Sequence, residues 1–120
     1  MDLKTYQNSA VVTLPNLSTH DDNITHMLFG MLTELGELTD VFKRNLAYGK
    51  DYDIVNIKEE LGDIMWYWVN LCTILGFDPE EVLQVNINKL ATRFADKFTQ
   101  AEALNRDLVR ERKVLEELGY

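Results

Sequence analysis

The sequence predicts an all-α protein: a helical bundle of four to five helices, completed by homo-oligomerisation. Three observations carry this. Apolar residues recur at helical spacing through long segments of the chain. Only 6 glycines and 2 prolines occur in 120 residues, too few for the many turns of an all-β domain. The connections between the periodic segments are short, which favours helices packed as neighbours. The chain reads as one domain over 1–120, with its core at 20–97 and a C-terminal helix at 100–118.

Each element has its own signals. Residues 1–12 form a short helix with Leu3, Tyr6, Ala10 and Val11 on one side. Residues 13–19 carry Pro15 and small polar residues and read as a loop. Ser18 with Asp21, or Thr19 with Asp22, opens the second helix as a capping box. That helix is expected over about 20–47, with a core stripe of Ile24, Leu28, Met31, Leu35, Leu38 and Phe42. Gly49 suits the positive φ of a helix end, and Asp53 suits the N-cap of the next helix. The third helix is expected over about 54–75, with Ile54, Ile57, Leu61, Ile64, Met65, Trp68, Cys72 and Leu75 as its stripe. Gly76 stops it, and Asp78-Pro79-Glu80-Glu81 starts a fourth helix running to about 97. Leu83, Ile87, Leu90 and Phe94 are that helix's expected core. The last segment alternates charge with Leu108, Val109, Val114 and Leu115 and reads as one further helix.

Composition narrows the function classes. An apolar fraction of 46 % indicates a folded chain rather than a disordered one. A net charge of −8 argues against a duplex-DNA binder relying on phosphate contacts. An acidic protein that handles phosphates needs cations to screen the repulsion. The lone cysteine, Cys72, lies in an apolar run and is expected as a buried thiol. No signal-like segment opens the chain, and no apolar run reaches the ~20 residues of a membrane span. A soluble, cytoplasmic protein is expected, with neither nucleic acid nor membrane as partner.

The chemistry concentrates in two motifs, Glu34-Leu35-Gly36-Glu37 and Glu60-Leu61-Gly62-Asp63. Residues three apart on a helix lie on nearly the same face. Each motif therefore offers two carboxylates in one direction, and two such helices side by side would gather four. Carboxylates that close do not all stay ionised without a counter-charge. Hard divalent cations prefer oxygen ligands, so the motifs point to a Mg²⁺ site between the helices. Both pairs are displaced in the same sense from their apolar stripes. Gly30 and Val41 share the flank of the first pair, and Asn56 and Tyr67 extend the file of the second. The second helix thus reads as covered on two sides, with its acids at the boundary. In the fourth helix, Asn86, Lys89 and Arg93 form a file with Val82, and this amide, ammonium and guanidinium suit polyphosphate oxygens.

These residues resemble the all-α nucleoside triphosphate pyrophosphohydrolases, the MazG-like superfamily. Glu60-Leu61-Gly62-Asp63-Ile64-Met65-Trp66-Tyr67 is similar to the family's second acidic helix, and Asn86-x-x-Lys89-Leu90-x-x-Arg93 to the stretch that follows it. The likeness covers roughly 20–97. Tyr6-Gln7 and the tail look like the short phage and bacterial versions. The resemblance implies hydrolysis of a nucleoside triphosphate between the α and β phosphates, with Mg²⁺ as cofactor and Mn²⁺ as a substitute. It implies Glu34, Glu37, Glu60 and Asp63 as metal ligands and catalytic acids. Asn86, Lys89 and Arg93 become phosphate-side groups and Tyr67 a wall of the base pocket. Many relatives double the glutamate of the first motif; Thr33 stands at that position here, so the base for the attacking water stays open. A homodimer or a dimer of dimers is the expected assembly.

Neighbouring groups have plainer readings. Lys43, Arg44 and Lys50 read as surface charge ahead of a reach to substrate phosphates, Trp68 as core, Trp66 as interface or surface, and His26 as a capping or surface residue ahead of an edge of the base pocket. Two other classes compete. A di-iron carboxylate bundle needs Glu-x-x-His pairs, which this chain lacks. A non-catalytic helical dimerisation or regulatory module would show no Mg²⁺-dependent chemistry and would tolerate Glu37→Gln.

Overall fold

The computed structural model describes residues 1–117, which form six helices and no strand. They fall into two compact units, Met1–Phe77 and the chain from Asp78 onward.

The first unit holds α1 (Leu3–Val12), α2 (His20–Tyr48) and α3 (Ile54–Leu75). The helix limits follow local chemistry. Asp2 caps α1 by accepting from the Thr5 amide. Of the two possible starts for α2, Thr19 is the one used, its hydroxyl accepting from the Asp22 amide at 3.0 Å. Gly49 ends α2 in the left-handed region at φ 64°, where a Cβ would be strained. Asn45 then closes the turn, donating from Nδ2 to the Lys50 carbonyl at 2.7 Å. Asp53 caps α3, and Gly76 ends it at φ 75°.

At 29 and 22 residues, α2 and α3 are about 44 and 33 Å long at 1.5 Å per residue. They pack against each other as a helical hairpin. The seam is not where the apolar stripes predict. On α2 the buried residues are Met27, Gly30 and Val41, while Leu28, Leu35 and Phe42 are 49 %, 51 % and 45 % exposed. On α3 the buried residues are Glu60, Val69, Asn70 and Cys72, while Ile54 and Leu61 are more than half exposed. The acidic flanks therefore face each other, and much of each expected core stripe is exposed. Cys72 is buried as expected. Trp68 is only half-buried.

Helix α1 packs on α3 through Ala10 and a set of polar contacts. Gln7 Nε2 donates to Thr73 Oγ1 at 3.0 Å, and Trp66 Nε1 donates to Thr13 Oγ1 at 2.9 Å. Trp66 is thus an interface residue between α1 and α3.

The second unit holds α4 (Pro79–Arg93), α5 (Gln100–Leu104) and α6 (Leu108–Glu116). Asp78 caps α4 with Pro79 in the first turn. The expectation that this helix runs to 97 fails at Phe94, whose backbone is extended at φ −120° and ψ 110°. The break sets the Phe94 ring 5.3 Å from that of Phe98 and lets the chain return, packing α6 on α4. Leu83 and Ile87, expected in the core, are 44 % and 59 % exposed, and Val85 is the buried aliphatic residue of α4. The single C-terminal helix expected at 100–118 is two helices. Thr99 and Asp107 each accept from a backbone amide three residues on, so each starts a helix of its own. The final residue of that expected helix, Leu118, lies outside the described residues.

Candidate metal centre

The α2–α3 seam gathers three of the four predicted acids. Glu34 from α2, with Glu60 and Asp63 from α3, each offer a carboxylate oxygen, and these lie within 4.8 Å of one another. Glu37 is exposed and outside this trio, although its charge is felt by Glu34. Glu60 is the inner member at 7 % exposure. Its Oε1 accepts from Asn56 Nδ2 at 3.0 Å, which fixes the carboxylate from one turn before it on α3. Its Oε2 is buried with no protein N–H or hydroxyl to satisfy it.

The electrostatics follow from this geometry. The Glu34 carboxyl is pushed up to about 7. The leading cause is a hydrogen bond with Glu60 that favours the protonated form of Glu34. Burial and the charges of Glu60, Asp63 and Glu37 add to it. Asp63 is also raised, first by burial and then by Glu60 and Glu59. Tyr6 on α1 is raised by burial and by the Asp63 charge, which places its phenol in the field of the same cluster.

Tyr67 lies one to two turns beyond Glu60 and Asp63 on α3. Its ring covers Gly30 of α2 so closely that a Cβ there would overlap ring carbons. His26 meets Tyr67 edge-on with ring centres 6.1 Å apart, and Trp66 does so at 4.9 Å. His26 is therefore neither a cap nor a free surface group; it is half-buried on Tyr67, with Nδ1 buried and unpartnered. Thr33 donates its hydroxyl to the Gly30 carbonyl at 3.0 Å. Lys43 and Arg44 both pair with Asp40, at 3.4 and 3.0 Å, as surface charges do.

In the second unit, α4 carries Asn86 exposed and Lys89 and Arg93 half-buried. Arg93 Nε is 2.6 Å from Glu111 Oε1 of α6. The pairing with Glu111 was not legible from the sequence, where Glu111 is one of several charges in an alternating run. Asn56 stood in the file of Glu60 and Asp63 already in the sequence, whereas Tyr6 was not visible as a neighbour of the acids, since contacts across helices carry no sequence spacing.

The donor set suits a hard divalent cation. Carboxylates this close raise one another's pKa, and a cation bound to their oxygens would relieve that repulsion. The hairpin thus defines an all-helical protein with a cluster of three carboxylates, all oxygen donors and no imidazole among them, that could hold a cation. Residues 22–98 match the MazG nucleotide pyrophosphohydrolase domain. The chain belongs to this family. It is also 31 % identical over 90 residues to the Gene 37 protein of Mycobacterium phage L5, covering 71 % of this chain and 78 % of that protein. No solved structure matches the chain significantly.

Proposed function

We propose that the protein is a Mg²⁺-dependent nucleoside triphosphate pyrophosphohydrolase, giving a nucleoside monophosphate and pyrophosphate. The observation that carries this reading is the meeting of Glu34, Glu60 and Asp63 at one seam in a chain of the MazG family. Glu34, Glu60 and Asp63 would hold the metal, with Glu37 joining from the exposed end of its motif. Bound Mg²⁺ would neutralise triphosphate charge and lower the pKa of the attacking water. Mn²⁺, with similar oxygen-ligand chemistry, is the expected substitute.

The chain's own residues have distinct tasks. Asn56 holds Glu60 in orientation. Lys89 and Arg93 would stabilise charge on the departing pyrophosphate, and Asn86 would bind a phosphate oxygen. Tyr67, stiffened by Gly30, His26 and Trp66, would wall the base. Thr33 has no carboxylate to take the water's proton, and its hydroxyl is committed to Gly30. That leaves activation of the water to the metal alone or to one of the four acids.

A homodimer or dimer of dimers fits the exposed apolar stripe of α2, where Leu28, Phe29, Leu32, Leu35 and Phe42 all lie open. No helix among the described residues is long and apolar enough to cross a membrane. A nucleotide substrate and a buried thiol suit the cytoplasm.

The test is a panel of dNTPs and NTPs incubated with protein and Mg²⁺, with monophosphate and pyrophosphate separated by chromatography. Wild type should release both, and Glu37→Gln and Asp63→Asn should each lose activity by roughly 100-fold or more. Release of single phosphate would overturn the bond assignment. No turnover of any nucleotide with either metal would favour the non-catalytic module.

A further inference from the structure

Arg93, Glu111 and Arg106 form a compact ion cluster in the second unit. Glu111 sits at its centre, 3 % exposed, on the face of α6 that packs against α4. Its Oε1 accepts from Arg93 Nε at 2.6 Å. Its Oε2 accepts from Arg106 twice, from Nη2 at 2.8 Å and from Nε at 3.1 Å. Both guanidiniums hold the carboxyl below its ordinary range, so it is ionised at neutral pH.

Two features of this cluster point outward. Two guanidiniums share one carboxylate, so the cluster carries an excess positive charge in a chain whose net charge is −8. Arg93 also uses only its inner edge. Nε is taken by Glu111, its cationic plane lies 5.6 Å from the Phe94 ring centre, and its terminal nitrogens make no hydrogen bond among the described residues. A guanidinium has five donors in a rigid fork. Held at Nε, it presents the two terminal nitrogens as a fixed pair, the arrangement that binds phosphate oxygens bidentately.

We propose that Glu111 is a positioning residue that aims the terminal nitrogens of Arg93 at the phosphate oxygens of the substrate. This gives α6, which lies beyond the 22–98 family match, a part in phosphate binding. The break at Phe94 then has a purpose: it returns the chain so that Glu111 can reach the last residue of α4. The proposal rests on the reading of Arg93 as a phosphate-side group.

The sign of one substitution separates positioning from plain electrostatics. Glu111→Gln removes a negative charge beside Arg93. If the cluster acted only through its field, pyrophosphate would bind more tightly. If Glu111 positions Arg93, pyrophosphate binds more weakly although the site has become more positive. The measurement is calorimetric binding of inorganic pyrophosphate, with Mg²⁺, to the full chain. The variants are Arg93→Lys, Glu111→Gln and the two combined, with melting curves as the control for folding. Arg93→Lys is expected to weaken binding about tenfold or more and Glu111→Gln about fivefold. The double variant is expected to match Arg93→Lys within about twofold, because Glu111 then has nothing left to aim. Unchanged or tighter binding by Glu111→Gln overturns the positioning role while leaving the Arg93 reading intact. So does a double variant whose loss equals the product of the two single losses. Unchanged binding by Arg93→Lys overturns both. If Glu111→Gln does not fold, Glu111→Asp keeps the charge, withdraws the carboxylate and is judged by the same criteria.

Discussion

Gly30 of α2 lies directly beneath the ring of Tyr67 of α3, at a distance that only a residue without a Cβ can occupy. The contact sets how closely the two helices approach just beyond the acidic cluster. Gly30→Ala should therefore destabilise the protein. Helix propensity favours Ala by about 1 kcal/mol, but overpacking costs roughly 1–3 kcal/mol. The Tyr67 ring has little room to yield between His26 and Trp66. A lower melting temperature for Gly30→Ala, partly restored by adding Tyr67→Val, is the expected outcome. Equal melting of Gly30→Ala and wild type would show that the ring moves freely.

Metal binding should displace a proton from Glu34. Its carboxyl titrates at about 7 without metal, so below that pH Mg²⁺ must compete with the proton. Apparent affinity is expected to rise about tenfold per pH unit below about 7 and to level off above it. Calorimetry in buffers of different ionisation enthalpy would count the proton released. Stability of the metal-free protein should run the opposite way. The folded value lies above the ordinary 4.5, so the contribution is complete below about 4.5 and is lost as pH rises through about 7. A metal-free melting temperature that climbs over that window would contradict this.

Glu60→Gln should separate function from stability. It removes the inner charge of the cluster and with it the main reason that Glu34 holds a proton. Metal affinity should fall at least tenfold, on the order of what an outer partner alone is worth. The metal-free protein should melt no lower than wild type, since buried like charges no longer oppose each other. Thermal shift with and without Mg²⁺ reads both effects.

The open stripe of α2 predicts a dependence of assembly on that helix. Leu35→Asp or Phe42→Asp places a charge among residues that are half exposed in a single chain. Sedimentation should show the variant at a smaller mass than wild type, with its helical spectrum retained. A wild type that sediments as a monomer would remove the reason for the stripe's exposure to be tied to assembly.

Acid should act on the second unit through Glu111. Its carboxyl is held low by Arg93 and Arg106. Its contribution is therefore present above the ordinary 4.5 and lost as pH falls through the lowered value. The melting difference between wild type and Glu111→Gln should be constant from pH 5 to 7 and shrink below about pH 4. A difference that persists unchanged at pH 2–3 would mean that packing, not charge, dominates.

The sequence by itself determined the helices of the first unit and the chemistry of the two motifs. The limits of α2 and α3 follow from Thr19, Gly49, Asp53 and Gly76, each of which acts on backbone groups within a few residues of itself. The i, i+3 acids are legible for the same reason: helical spacing is local. Only the tertiary structure decided which face of each helix is inside. Periodicity reports that Leu28, Leu35 and Leu61 share faces with other apolar residues, but a face can be covered by the same chain or by something else. Here the seam took Met27, Gly30, Glu34 and Glu60 instead. The break at Phe94 and the Glu111 cluster were hidden for a related reason. They arise from contacts between residues 18 positions apart, and such contacts are chosen by packing rather than by the spacing of residues along a helix.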